Sequence, residues 1–319
     1  MKRYGQEISV AIAIAALAAT LGFAAPAYFS RENLQDVFLS NMPVLVVAVG
    51  MTLVILTGEI DVSVGSIFAI CGVMAGVIAK MGVPVLLACA GACIIGALLG
   101  AMNGALVAYI RIPSIVVTLA TMTALRDGLR WATQGAWIEN LPPSFQWFGL
   151  TERTYPIAVL GTAVVLVGAT GWGLRHLAAG RAIYAAGSNA EAARVAGINT
   201  QRVVFLVFVA TGALTGLAAA FNSVRFDQIP SNAGLGLELK VIAAVVVGGT
   251  AITGGRGSIA GTVLGVVLLG AIGPALTFLG TSAYWEQALQ GLIILAAITI
   301  EALRSRAEKR KASLAAQQV

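Results

Sequence analysis

Apolar runs of membrane-crossing length alternate with short polar breaks along almost the whole chain. A helix needs roughly 20 mostly apolar residues to cross a bilayer. Runs that meet or approach that length lie at about 7–26, 42–57, 64–80, 84–108, 114–133, 156–175, 202–222, 238–254, 258–280 and 284–303. The pattern predicts an all-α polytopic membrane protein of about ten transmembrane helices, built as one domain over 1–319. The runs at 42–57 and 238–254 are short for a crossing. The first run, Ile8 to Ala25, follows Met1-Lys2-Arg3 and is longer than the roughly 7–15 residues of a signal-peptide core. It reads as a retained span, although Ala25-Pro26-Ala27 has the small residues of a cleavage site.

One polar stretch breaks this rhythm. Residues 180–199 are too polar for a bilayer and too short for a domain. Ala190-Glu191-Ala192-Ala193 favours helix, and Gly187 and Gly197 punctuate its two sides. A short amphipathic helix held in the loop 176–201 is expected, placed where another protein can grip it.

Composition supports the membrane reading. The chain is 58% hydrophobic and 11% charged, against about 25% charged in soluble domains, and its mean hydropathy is +0.90. The 37 glycines suit closely packed membrane helices. A pI near 9.5 would suggest nucleic acid in a soluble protein. Here the basic residues sit in short loops and at the C-terminus. Ten spans place both termini on one side. Of the 20 Lys and Arg, 13 fall on that side and 7 on the other or at its span ends. The positive-inside rule then makes the termini and the 176–201 loop cytoplasmic. The basic tail 304–319, with its Arg304-to-Lys311 cluster, reads as a stop-transfer anchor.

Most catalytic chemistry is missing. No lysine follows a glycine, so there is no P-loop. The single histidine, His176, lies at a span end beside Arg175, which leaves no Ser/His/Asp set. Cys71, Cys89 and Cys93 lie in apolar runs with no His or carboxylate nearby, so packing is favoured over a metal site. The chain is read as no enzyme, with no cofactor and no metal of its own. Intramembrane charge is sparse. Arg126, Asp127 and Arg130 follow Ser114 by 12, 13 and 16 residues, which places them about 18–24 Å along the fifth span. Two readings stand: contact with a polar solute along a water-filled path, or a local ion pair with snorkelling. Glu59 and Asp61 lie in a cytoplasmic turn after the second run, where capping of the next helix competes with a gate or partner contact. That turn, Gly58 to Ile67, and the loop Gly254 to Ile259 both end in Gly-Ser-Ile, a weak hint of internal duplication. Trp131, Trp137 and Trp147 lie at the outer end of the fifth span and in the loop 134–155. They suit an interfacial belt or a docking surface.

Three stretches resemble one family. They are Ala48 through Ser66, Gly180 through Asn199, and Ala243 through Gly257. The chain resembles the permease subunits of bacterial ATP-binding-cassette (ABC) importers for sugars, of the ribose and rhamnose type, over most of its length. Glu59 departs from the small residue common at that place. The resemblance implies four kinds of partner: a separate cytoplasmic ATPase that binds the ATP, a periplasmic sugar-binding protein, a second permease, and the bilayer. It implies that Ser188, Asn189, Glu191, Ala192, Ala193, Gly197 and Ile198 form the helix that couples to the ATPase. A pentose or a deoxyhexose such as rhamnose is the expected cargo. A permease for branched-chain amino acids or nucleosides is the alternative, and an ion-coupled carrier the more distant one.

Overall fold

The computed structural model describes residues 5–282 and isolated positions from 285 to 299. The expected tenth span at 284–303 and the basic tail therefore lie outside the described residues. The described chain is helical, and its strand-like pairing among the described residues is a single bridge, Ile138 with Ile229. The elements are α1 Gly5–Ala24, α2 Arg31–Leu56, α3 Val64–Lys80, α4 Val85–Ala108, α5 Ser114–Thr133, α6 Tyr155–His176, α7 Ala178–Ser188, α8 Ala190–Val195, α9 Thr200–Ser223, α10 Leu237–Val247 and α11 Ile259–Phe278. Six of these, α1, α2, α4, α6, α9 and α11, are long and apolar enough to cross a membrane, and α3 is a shorter apolar helix. The protein is an all-α polytopic membrane protein.

α2 is the central post. Almost every residue from Met42 to Thr57 is buried, because α9, α10, α11 and α6 surround it. Its 26 residues start well before the expected run at 42–57. Polar positions between Arg31 and Asn41 concealed that first half from a hydropathy reading. The Ser30 hydroxyl accepts from the Asn33 amide and caps the helix. Buried hydroxyls join the helices. Thr52 and Thr262 lie 2.7 Å apart. Thr211 donates to the Gly50 carbonyl at 3.0 Å, and Tyr155 donates to the Phe221 carbonyl at 2.7 Å.

Backbone contact without side chains holds α4 to α9. A Cβ on Gly96 would strike the Gly212 carbonyl, and one on Gly100 the Phe208 carbonyl. From the other side, a Cβ on Gly212 would strike the Gly96 carbonyl and one on Gly216 the Ala92 carbonyl. Small residues four apart let membrane helices approach this closely.

The expected span at 238–254 is corrected. α10 ends at Val247 after 11 residues, about 16 Å of helix, which is half a crossing. The chain then turns through Gly249, Gly254 and Gly255, all at positive φ, before α11 begins. The approach to α10 is a run of turns over 231–236. The Ala233 amide donates to the Pro230 carbonyl at 3.1 Å, and Gly234 and Gly236 stand at positive φ. The Ile229 side chain lies against Gly76, and the Gly234 carbonyl lies against Gly65. A half-length helix entered through a loop stands in place of the continuous eighth helix.

Candidate coupling junction and transport path

The polar interruption folds as two helices with a corner between them. Asn189 is extended, at φ −160° and ψ 100°. Its Oδ1 accepts from the amides of Glu191 at 3.1 Å and Ala192 at 3.0 Å, so one side chain ends α7 and starts α8. Gly197, at φ +83°, ends α8. The Ile198 amide reaches back to the Ala193 carbonyl and the Gly197 amide to the Arg194 carbonyl, a glycine-terminated helix end that needs the left-handed conformation. Asn199 then caps α9 by accepting from the Arg202 amide at 3.0 Å. Glu191 and Ala192 are exposed, Val195 is 91% exposed, and Ala193 is buried. Of the residues expected to contact a partner, Ser188, Asn189, Glu191, Ala192 and Gly197 are exposed, Ile198 is half-buried, and Ala193 faces inward.

The end of α7 abuts the two loops that share Gly-Ser-Ile. The Gly255 amide donates to the Leu56 carbonyl at 2.9 Å. A Cβ on Gly187 would collide with that same carbonyl and lie 2.7 Å from the Gly255 nitrogen. A Cβ on Gly254 would lie 2.8 Å from the Gly58 nitrogen. Tyr184 on α7 donates to the Gly257 carbonyl at 2.9 Å. α7 therefore rests directly on the C-terminal end of α2 and on the turn between α10 and α11.

The turn from Thr57 to Ser63 is a largely buried linker, with Gly58 exposed. Asp61 and Ser63 have no exposed surface. Asp61 Oδ1 accepts from the Ser63 amide at 2.9 Å and the Ser63 hydroxyl at 2.6 Å. Ser63 in turn accepts from Asn103 Nδ2 at 2.8 Å. Asp61 Oδ2 and Asn103 Oδ1 are buried without a hydrogen-bond partner. Glu59 is half-buried. The Ile60 amide donates to Ser114 Oγ at 3.2 Å, tying the linker to the start of α5.

The three charges on α5 separate. Asp127 and Arg130 pair at 3.8 Å with side chains about two-thirds exposed. Arg126 turns away and donates to the carbonyls of Ala233 at 2.9 Å and Gly234 at 3.4 Å. It ties the looped approach to α10 to α5. Glu238, in the first turn of α10, lies against Gly65. The half-helix α10 and the helix α3 thus present their N-terminal ends to the same place, beside Arg126. The charged triplet drew attention to α5, but its partners at 233–238 were not foreseen. The signal was Pro230-Ser231-Asn232-Ala233-Gly234, a breaker-rich string between apolar runs. Asn103 and Ser114 were missed too, since single polar residues in apolar helices carry no motif.

Trp131 is 84% exposed and Trp137 also projects outward. Trp147 is half-buried and packs on Tyr155 at 5.0 Å between ring centroids. The three cysteines are free, with Cys71 and Cys89 buried. Among the described residues no group of three or more His, Cys, Asp or Glu could hold a metal ion.

A family model described as "Branched-chain amino acid transport system / permease component" matches residues 33–298. The autoinducer 2 import system permease protein LsrC of Escherichia coli (strain K12 / DH10B) is 36% identical over 296 residues, covering 93% of this chain and 86% of that protein. LsrC of Yersinia pseudotuberculosis serotype O:1b is 36% identical over 297 residues, covering 93% and 84%. LsrC of Shigella flexneri is 36% identical over 296 residues, covering 93% and 86%. No solved structure matches significantly. With most of its length matched by the family model and by these relatives, this chain belongs to the branched-chain amino acid transport system permease family and is a permease subunit of a bacterial ABC importer.

Proposed function

We propose that the chain carries a small sugar-type solute inward across the bacterial inner membrane, moved by a separate ATPase that grips α8 and its flanks. The observation that carries this reading is the seat of α7 against Leu56 and Gly255. A push on the exposed residues Ser188, Asn189, Glu191 and Ala192 passes through α7 to the ends of α2 and α10. Those ends adjoin the buried linker and the half-helix, the two places where the helical frame is interrupted. Rigid helices joined at such breaks move as levers, which is how broken helices serve transporters.

In this reading the 176–201 loop and both termini are cytoplasmic, as the distribution of Lys and Arg favours. A periplasmic binding protein delivers the solute to the opposite face. A second permease completes the path, with the Asp127–Arg130 face of α5 toward it, because exposed charge is costly against lipid. The relatives are named for autoinducer 2 import, so autoinducer 2 is the first solute to test. A pentose or a deoxyhexose such as rhamnose follows. The family description names branched-chain amino acids, and that cargo is the second reading.

The test is co-expression with the ATPase and binding protein encoded beside this chain, followed by uptake of labelled autoinducer 2, ribose, rhamnose and leucine into vesicles. Glu191→Arg is expected to lower ATPase co-purification and uptake at least tenfold while the permease still inserts. Wild-type assembly by that variant would remove α8 from the coupling role. Uptake of leucine alone would replace the sugar-type cargo.

A further inference from the structure

We propose that an anionic phospholipid binds in the groove between α7 and α9, with its phosphate on Arg181 and Arg202 and an acyl chain along Ala182, Val203 and Leu206. The inference rests on the membrane reading of the chain and is independent of which solute is carried. The groove has a volume of about 490 Å³, and these five residues line it. It lies where α6 ends at His176 and α9 begins at Thr200, the border between the apolar helices and water. Leu206 is six residues into α9, about 9 Å inward, and half-exposed. The floor is therefore apolar at lipid depth and the rim is basic.

Charge at the rim is uncompensated. No acidic residue lines the groove. The Arg202 side chain makes no hydrogen bond or ion pair among the described residues. Arg181 gives one bond to the His176 carbonyl at 3.1 Å, leaving most of its five donors free. Leu177, which precedes α7, offers no side-chain cap, so the first amides of α7 add to the positive end. A phosphate answers the guanidinium forks in shape and charge. A free phosphate leaves the apolar floor wet, whereas a phospholipid fills both halves. Basic pockets beside membrane helices bind anionic headgroups for this reason.

The test uses the assembled transporter in detergent and counts retained lipid by native mass spectrometry after titration with phosphatidylglycerol or phosphatidylcholine. One phosphatidylglycerol per permease chain should resist exchange, and phosphatidylcholine should not replace it. The double variant Arg181→Gln, Arg202→Gln should lose that lipid, with affinity lower by about thirtyfold for two basic contacts. Ala182→Trp, which fills the groove and leaves both arginines in place, should lose it as well. Equal retention in both variants overturns the site. Release by millimolar inorganic phosphate would make the ligand a soluble anion, and lipid held by the ATPase-free permease but missing from the assembled transporter would assign the groove to the ATPase. Either result refutes the lipid. Vesicle uptake of solute is measured separately, so a failed lipid site leaves the transport reading standing.

Discussion

At the residue scale the decisive feature is a carboxylate with no counter-charge. Asp61 is fully buried, one oxygen holds both Ser63 donors, and the other has no partner. A buried, unpaired charge is among the costliest groups a protein can hold, so the value of Asp61 must lie in the acceptor at Oδ1. Asp61→Asn keeps an acceptor there and discards the charge. It is expected to melt within a few degrees of wild type in detergent. Asp61→Leu strands the Ser63 amide and hydroxyl, each loss costing about 1–3 kcal/mol, and should melt clearly lower. If both variants fall equally, the charge itself is what the linker needs. Gly187 sets a second constraint of this kind. Any Cβ there meets the Leu56 carbonyl, so Gly187→Val should unseat α7 and lower uptake while the spanning helices still insert. Normal uptake by that variant would sever the link between α7 and α2.

At the element scale the helices are held by backbone contact, and glycines differ in consequence. Gly212 faces the Gly96 carbonyl, whereas Gly161 on α6 has nothing within 4 Å of a built Cβ. Gly212→Leu forces α4 and α9 apart, an overpacking that costs about 1–3 kcal/mol. Gly161→Leu adds apolar surface to an open face and should leave thermal stability unchanged. Equal melting of the two variants would deny the seam. The capping corner is weaker and more local. Asn189→Ala removes two bonds to the start of α8, about 1 kcal/mol, and should reduce ATPase binding more than it reduces thermal stability. The elements were unevenly legible in sequence. α3 and α5 coincide with the runs at 64–80 and 114–133, because charge or turn residues bound those runs on both sides. α10 was overextended because Gly248 to Ala251 remains nearly neutral in hydropathy while its backbone turns at Gly249. Hydropathy records which side chains tolerate lipid and is silent on where the backbone leaves the helix. The corner at Asn189 was legible as a polar break, since polarity is what hydropathy measures. Its split into two helices depended on one cap and was not.

At the scale of the whole molecule, one cation ties the entrance of the half-helix α10 to α5. Arg126 comes from the middle of α5, yet its bonds go to Ala233 and Gly234 at the entrance to α10. It therefore separates in role from Asp127 and Arg130, whose exposed pair is worth about 0–1 kcal/mol. The sequence suggested a set of three charges. The fold uses one as a clasp on the loop before α10 and leaves two on the exposed face of α5. Removing the clasp should free the segment between Ile229 and Gly236 without disturbing the coupling corner, which lies at the far end of α10. Ser231 is buried, so Ser231→Cys reports this directly. Its thiol should resist maleimide with Arg126 intact and become labelled in the Arg126→Ala background. Arg126→Lys retains a donor but loses the fork, and should label at an intermediate rate. ATPase binding should stay at wild-type level in all three, since α8 is untouched, while uptake falls with Arg126→Ala. Slow labelling in the Arg126→Ala background would mean that packing against α3 alone holds this loop. The meeting of the N-terminal ends of α3 and α10 would then be a fixed part of the frame and could not act as a moving part of the path.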